Sequence, residues 1–255
     1  MLQRVNDSEG GRQLELSERA DRGAVAKGPP INWLLPAILS TTAGAVDVIG
    51  FLVFGGLFTA HITGNLVVIA AHYVTGGFGQ VGPILAVPVF IAVLVVVALL
   101  FGGIESKTRS RRTLLVLHAA LLAGCLGLEL RFGPFRNADS PLAVVAGMLA
   151  VAAMATQNAL LKLALVESPS TAVMTTNTTQ LIVDLAALAR NAEEPEELRI
   201  RRRARVTFLC MAGFVGGCVA GAVFELRFGV GALVLPVTLA ALAVPLGKQK
   251  GRTYE

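Results

Sequence analysis

Two heptapeptides carry polar side chains into stretches otherwise built of Val, Leu, Ile and Ala. TAHITGN runs from Thr59 to Asn65, and TAVMTTN from Thr171 to Asn177, 112 residues later. Four positions match: Thr59 with Thr171, Ala60 with Ala172, Thr63 with Thr175 and Asn65 with Asn177. On a helix Thr59 and Thr63 share a face, as do Thr171 and Thr175. Threonines in membrane helices often only bond back to the preceding turn or across to a neighbour. Packing alone does not ask for Asn at the same place twice. Hydroxyls and amides at this spacing are groups that line a path for a solute or a cation.

Asp47, in TTAGAVDVIGF, is the acid nearest the first heptapeptide. A carboxylate near a helix centre costs about 2.5 to 3.5 kcal/mol on insertion scales, so it needs a partner or a cavity. Counting back a comparable distance from the second heptapeptide reaches Gln157 and Asn158, a neutral counterpart. Proton or cation coupling at Asp47 is the functional expectation; a carboxylate held by Thr and Asn as structural glue is the alternative. Asp184 lies seven residues after Asn177 and shares its face through Gln180. It either lines the same cavity or reaches the cytoplasmic interface. In the second copy Ser168 and Pro169 read as N-cap and first helical residue, which starts a helix near Ser170 and aims its N–H groups inward. In the first, Gly55 and Gly56 let the backbone bend before the helix.

Other chemistries are poorly supplied. His61, Asn65 and His72 fall on one helical face, but no carboxylate stands between the histidines as in a zinc helix, and no metal is expected. His118 reads as a core residue. Cys125, Cys210 and Cys218 sit in apolar runs without CxxC spacing, so no disulfide is expected. No hydrolase elbow, P-loop or dinucleotide fingerprint is present, and the glycines of Gly76 to Gly82 fall in a loop. No enzymatic activity and no cofactor are expected.

The elements that position these residues must be membrane helices. Hydrophobic residues make up 54% of the 255 and charged ones 15%, with a mean hydropathy of +0.68. That is far more apolar than a water-facing domain. The net charge of +5 is spread in short clusters between apolar runs, which sets membrane orientation and offers no basic face for nucleic acid. The first 31 residues hold five basic and five acidic side chains and no apolar core; they read as a cytoplasmic tail, not a cleaved signal. The run NAEEPEELRIRRRAR reads as a surface helix and topology anchor, with Glu197 and Arg201 paired.

Six segments suffice to span the bilayer: about Asn32 to Gly55, Gly82 to Ile104, Thr113 to Leu130, Pro141 to Leu165, Ala204 to Phe224 and Val230 to Leu246. Phe58 to Thr75 and Thr171 to Ala189 carry too many polar groups for lipid-facing spans. If both dip in and return, all Lys and Arg face the cytoplasm except Arg131, Arg136 and Arg227. That obeys the positive-inside rule better than full crossing. The fold class is then all-α: six transmembrane helices plus two re-entrant or broken segments. Residues 32–131 and 141–247 form two inverted repeats between tails 1–31 and 248–255. Such repeats place a substrate site where they meet, near the midplane. The site residues are Asp47, Thr59, His61, Thr63, Asn65, Gln157, Asn158, Thr171, Thr175, Asn177 and Asp184.

GAVDVIGFLVFGGLFTAHITGNLVVIA and TQNALLKLALVESPSTAVMTTNTTQLIVDLA resemble the YoaK family of bacterial membrane proteins over essentially Trp33 to Gly247. The pattern is carried by Val46–Asp47, the first heptapeptide and Gln157 to Ala159, and it departs at Ile62 and Thr176. The resemblance implies a bacterial inner-membrane protein and assigns no substrate. From the residues themselves the expectation is a small-solute transporter or channel-like permease, with a proton or cation as co-solute, both termini cytoplasmic, and homo-oligomers allowed. The rival is a structural or regulatory membrane protein. A cysteine placed at position 109 should resist membrane-impermeant thiol reagents applied to intact cells; strong labelling there would mean eight full crossings.

Overall fold

Apolar runs with few breakers satisfy their own backbone as helix, the available solution where water is absent. The computed structural model describes residues 33–75, 81–104, 106–166, 168–190 and 196–247. The expected tails, both termini and most of the Gly76 to Gly82 loop lie outside the described residues. Among those described there are eight α-helices, a 3-10 turn at Gly229–Gly231 and no strand. The helices are α1 Leu34–Val53, α2 Ile62–Thr75, α3 Val81–Phe101, α4 Lys107–Phe132, α5 Pro141–Ala164, α6 Met174–Ala189, α7 Glu196–Phe228 and α8 Val234–Leu246.

Five of them, α1, α3, α4, α5 and α7, are long and apolar enough to cross a membrane. The sixth expected span is shorter than its apolar run. The chain passes Gly229 at φ +49 and a 3-10 turn, leaving α8 only 13 residues, about 20 Å at 1.5 Å per residue. Two helices are longer than expected. α4 begins at Lys107 because the Ser106 hydroxyl accepts the Arg109 N–H at 3.4 Å. The charged run from Glu196 continues into α7, whose 33 residues reach about 50 Å, well past a hydrocarbon core.

Helix α1 lies along α7 and α8, while α5 lies along α3 and α4; α2 packs on α3, and α6 on α7. Exchanging the first four helices with the last four, in order, maps each of these pairings onto another. One end of the bundle gathers the C-terminus of α1 and the N-termini of α3 and α5, where Leu57 reaches Gly82 and Gly147 and the Val81 N–H donates to Asp139 at 2.8 Å. The other end gathers Leu35, Val97, Leu114, Leu160 and Ala243 in a second core cluster. Arg131, Arg136 and Arg227 belong to the first end; the basic residues of the α4 start, Lys162, Arg190 and the α7 start belong to the second.

The α1–α7 contact is backbone against backbone. A Cβ at Gly44 would stand 2.1 Å from the Phe214 carbonyl oxygen, and one at Gly217 would stand 2.1 Å from that of Thr41. Gly213 and Gly221 extend the contact by a turn each way, a small-residue ladder of the kind that holds helices together in lipid. Gly217→Val should therefore be severely destabilising, by more than the roughly 1–3 kcal/mol of ordinary overpacking, because the obstructing atoms are main chain. Gly216→Ala, whose Cβ would meet nothing within 4 Å, should not be. Thermal melting and monodisperse yield of the purified protein read the difference.

Candidate functional site where two hairpins meet

Helix α1 ends in a left-handed turn. Gly55 and Gly56 adopt φ of 65 and 82, a region open to glycine at no steric cost, and the Gly56 N–H closes onto the Phe51 carbonyl at 2.9 Å. The chain then doubles back along α1 without helical bonds, so its amides need other partners. Asp47 supplies them. Its Oδ1 accepts the N–H groups of Thr59 and Ala60 at 2.8 and 2.9 Å and the Thr59 hydroxyl at 2.8 Å, and its Oδ2 meets His61 Nδ1. The carboxylate residue is only 4% exposed. Helix α2 then leaves toward the end from which the chain came. Asn65 accepts the Phe58 N–H at 2.9 Å and donates to the Phe58 carbonyl at 2.7 Å, sealing descent against helix.

The second heptapeptide repeats the device. Asn177 donates to the Ser170 carbonyl at 2.6 Å, the same seven-residue reach as Asn65 to Phe58. The Thr171 hydroxyl meets the preceding helix as Thr59 does, accepting from Gln157 Nε2 at 2.8 Å. Gln157 also donates to the Leu39 carbonyl of α1 at 3.1 Å. One expectation is corrected. Helix α6 starts at Met174, not near Ser170, and Ser168 does not cap it; Ser170 Oγ instead accepts the Val173 N–H at 2.8 Å. Residues 171–173 stay non-helical because Thr171 is turned to Gln157 and the Ser170 carbonyl is held by Asn177.

The hairpins approach from opposite ends and meet. The backbone of Ala172 is a polar neighbour of the His61 ring, and Ala60 and Ala172 share one buried cluster. Beside this junction lies a pocket of about 450 Å³ between α1, α2 and α7, lined by Asp47, Val48, Phe51, Phe58, His61, Thr63, Gly64, Phe214 and Cys218. Its rings form a chain: Phe51 to Phe58 at 5.1 Å, Phe58 to His61 at 6.1 Å and His61 to Phe214 at 5.9 Å between centroids. His61 opens onto it beside Thr63, with 30% of the His61 side chain exposed.

The family model described as DUF1275, protein of unknown function, matches residues 35–246. The chain belongs to this family. No curated protein and no solved structure matches it. In this DUF1275 chain Asp47 bonds Thr59 and His61, with Thr63 at the pocket, and Gln157 bonds Thr171, while Asn65 and Asn177 each close their own hairpin onto backbone. Three further expected residues stand apart. Asn158 donates to the Met154 carbonyl of its own helix at 2.9 Å, Thr175 lies on an exposed face, and Asp184 is clamped by Arg203 of α7, at 2.9 and 2.5 Å, and by Gln180 at 2.8 Å. His118 is buried, with Nδ1 against the Ala153 carbonyl at 2.9 Å.

Sequence reasoning missed Phe51, Phe58, Phe214 and Cys218, which resemble any lipid-facing residue. It also missed Glu129, 1% exposed, whose ELRFG recurs from Glu225 to Gly229 at the end of α7; that echo was legible. Because Asn65 satisfies both polar groups of Phe58, Asn65→Ala should lower stability by about 1–3 kcal/mol for each group left unpaired. Asn65→Asp, which keeps the acceptor, should fall between it and the native chain, and Thr63→Ala should be nearly neutral; thermal melting in detergent ranks the three.

Proposed function

We propose that this DUF1275 protein is a bacterial inner-membrane permease for a small solute, akin to the YoaK proteins it resembles, with Asp47 and His61 as its proton-coupling pair. In this reading α8 and the 3-10 turn before it complete a sixth crossing, while α2 and α6 are re-entrant. The exchangeable helix pairings support two inverted repeats. The gathering of basic residues at one end supports a cytoplasmic location for that end and for both termini.

The observation that carries the reading is the Asp47–His61 pair, set between an open pocket and the backbone of the other hairpin. A scaffold has no need to leave its polar junction facing a cavity. Neutral imidazole has one N–H, and imidazolium has two. With His61 protonated, one N–H serves Asp47 and a second is available to the neighbouring Ala172 backbone, a tie from hairpin to hairpin. With His61 neutral and bonded to Asp47, the second tie loses its donor. Protonation thus biases the junction between a bound and a released arrangement, the kind of contact on which a histidine switch acts. No enzymatic activity is proposed.

The rival reading, structural glue, draws on the four donors that meet Asp47. Asp47→Asn separates the two, because the amide oxygen still accepts from Thr59 and Ala60 while the charge is gone. Comparing metabolite distributions between cells lacking the gene and cells carrying either form, over about pH 5 to 8 where imidazole changes charge, should show solute movement that depends on pH with Asp47 and loses that dependence with Asp47→Asn at equal folded protein. Indistinguishable pH profiles would decide for glue.

A further inference from the structure

We propose that the pocket beside Asp47 and His61 takes a lipophilic organic cation in exchange for the proton on His61. The proposal rests on the permease reading and specifies its substrate class. The walls are ring faces and aliphatic groups from Val48, Phe51, Phe58, Phe214 and Cys218. Aromatic faces attract cations, more strongly where water is excluded. Asp47 adds a full negative charge just behind them. Three donors converge on its Oδ1 and His61 meets its Oδ2, so what it chiefly offers the pocket is its charge.

That combination excludes other solutes. A sugar or zwitterion needs many hydrogen-bond partners, and the pocket offers only His61, Thr63 and the largely engaged Asp47 carboxylate. An anion is repelled by Asp47. Access also fits an apolar ligand, since Phe51 is 43% exposed on the outside of the bundle, and a pocket of about 450 Å³ lies within the ordinary range for small molecules.

Charge makes the exchange. Protonated His61 beside ionised Asp47 leaves the pocket neutral; removing the proton leaves it at minus one. A cation therefore binds when His61 has released its proton to solvent, and reprotonation expels it. Around His61, α1 contributes Asp47 and α7 contributes Cys218; neither α2 nor the 171–173 segment adds an ionisable group to the lining.

The test uses the full-length chain in detergent, with methyltriphenylphosphonium as cation and 1,1,1-triphenylethane as its uncharged isostere. Calorimetric affinity for the cation should rise about tenfold per pH unit while His61 remains protonated, as linkage to one proton requires, with close to one proton released per cation bound. The isostere should not displace it. Asp47→Asn should abolish cation binding, and Phe214→Leu, which keeps an apolar wall without the ring, should weaken it about tenfold with the proton release unchanged. Affinity independent of pH, displacement by the isostere, or retained affinity in a folded Asp47→Asn protein would overturn the proposal. If cation binding fails while Asp47→Asn still alters the pH dependence of solute movement in cells, the substrate class falls and the permease stands; if both fail, both fall.

Discussion

Everything near the junction depends on how an extended segment is made tolerable inside an apolar bundle. Residues 57–61 make neither helix nor sheet, and each unpaired buried amide there would cost about 1–3 kcal/mol. Asp47 and Asn65 stand in for the missing neighbouring strand, one taking the amides of Thr59 and Ala60, the other both polar groups of Phe58. The carboxylate thereby fixes where the chain turns, where α2 begins and where His61 points. In hydrocarbon no water competes for these groups, so satisfying them internally decides the local fold.

The glycine ladder sets the other wall. With α1 and α7 in main-chain contact at Gly44 and Gly217, the side chains flanking that contact, Phe214 and Cys218, are brought over Asp47 one turn further along α1. Apolar burial gives helices little reason to associate in lipid, and close van der Waals contact takes its place. The pocket begins where glycine gives way to Phe214, and its position follows from that change in side-chain size.

Much of this was legible. The echo located both hairpins, a single acid in an apolar span marked Asp47, and clustered basic residues separated the two ends of the bundle. What escaped was tertiary. Ser168 and Pro169 are sound local signals for a helix start, but Gln157 and Asn177 reach into the segment from elsewhere and hold it extended until Val173. The α8 run is apolar enough to span, yet Gly229 at positive φ turns its start into a 3-10 turn. Asp184 looked like part of a pathway because its partner, Arg203, stands among basic residues that read as an interfacial anchor. The pocket phenylalanines have no polar signature, and only the close approach of α1 and α7 distinguishes Phe214 from its lipid-facing neighbours.

The two hairpins also bear on why Asp47 is charged. Gln157 occupies the corresponding place and holds the returning threonine with a neutral amide, reaching α1 as well. The two anchors are not equivalent, because Gln157 donates to the Thr171 hydroxyl while Asp47 accepts two backbone N–H groups as well as a hydroxyl. At Asp47 the chain instead keeps a carboxylate, despite an insertion cost of about 2.5 to 3.5 kcal/mol, and pairs it with the only histidine of either heptapeptide. What the first hairpin has and the second lacks is one titratable pair, placed in the hairpin that carries the pocket. Thr59, Thr171, Asn65 and Asn177 are duplicated and close each hairpin; Asp47 also holds its hairpin's amides, and its pairing with His61 is what the second half lacks.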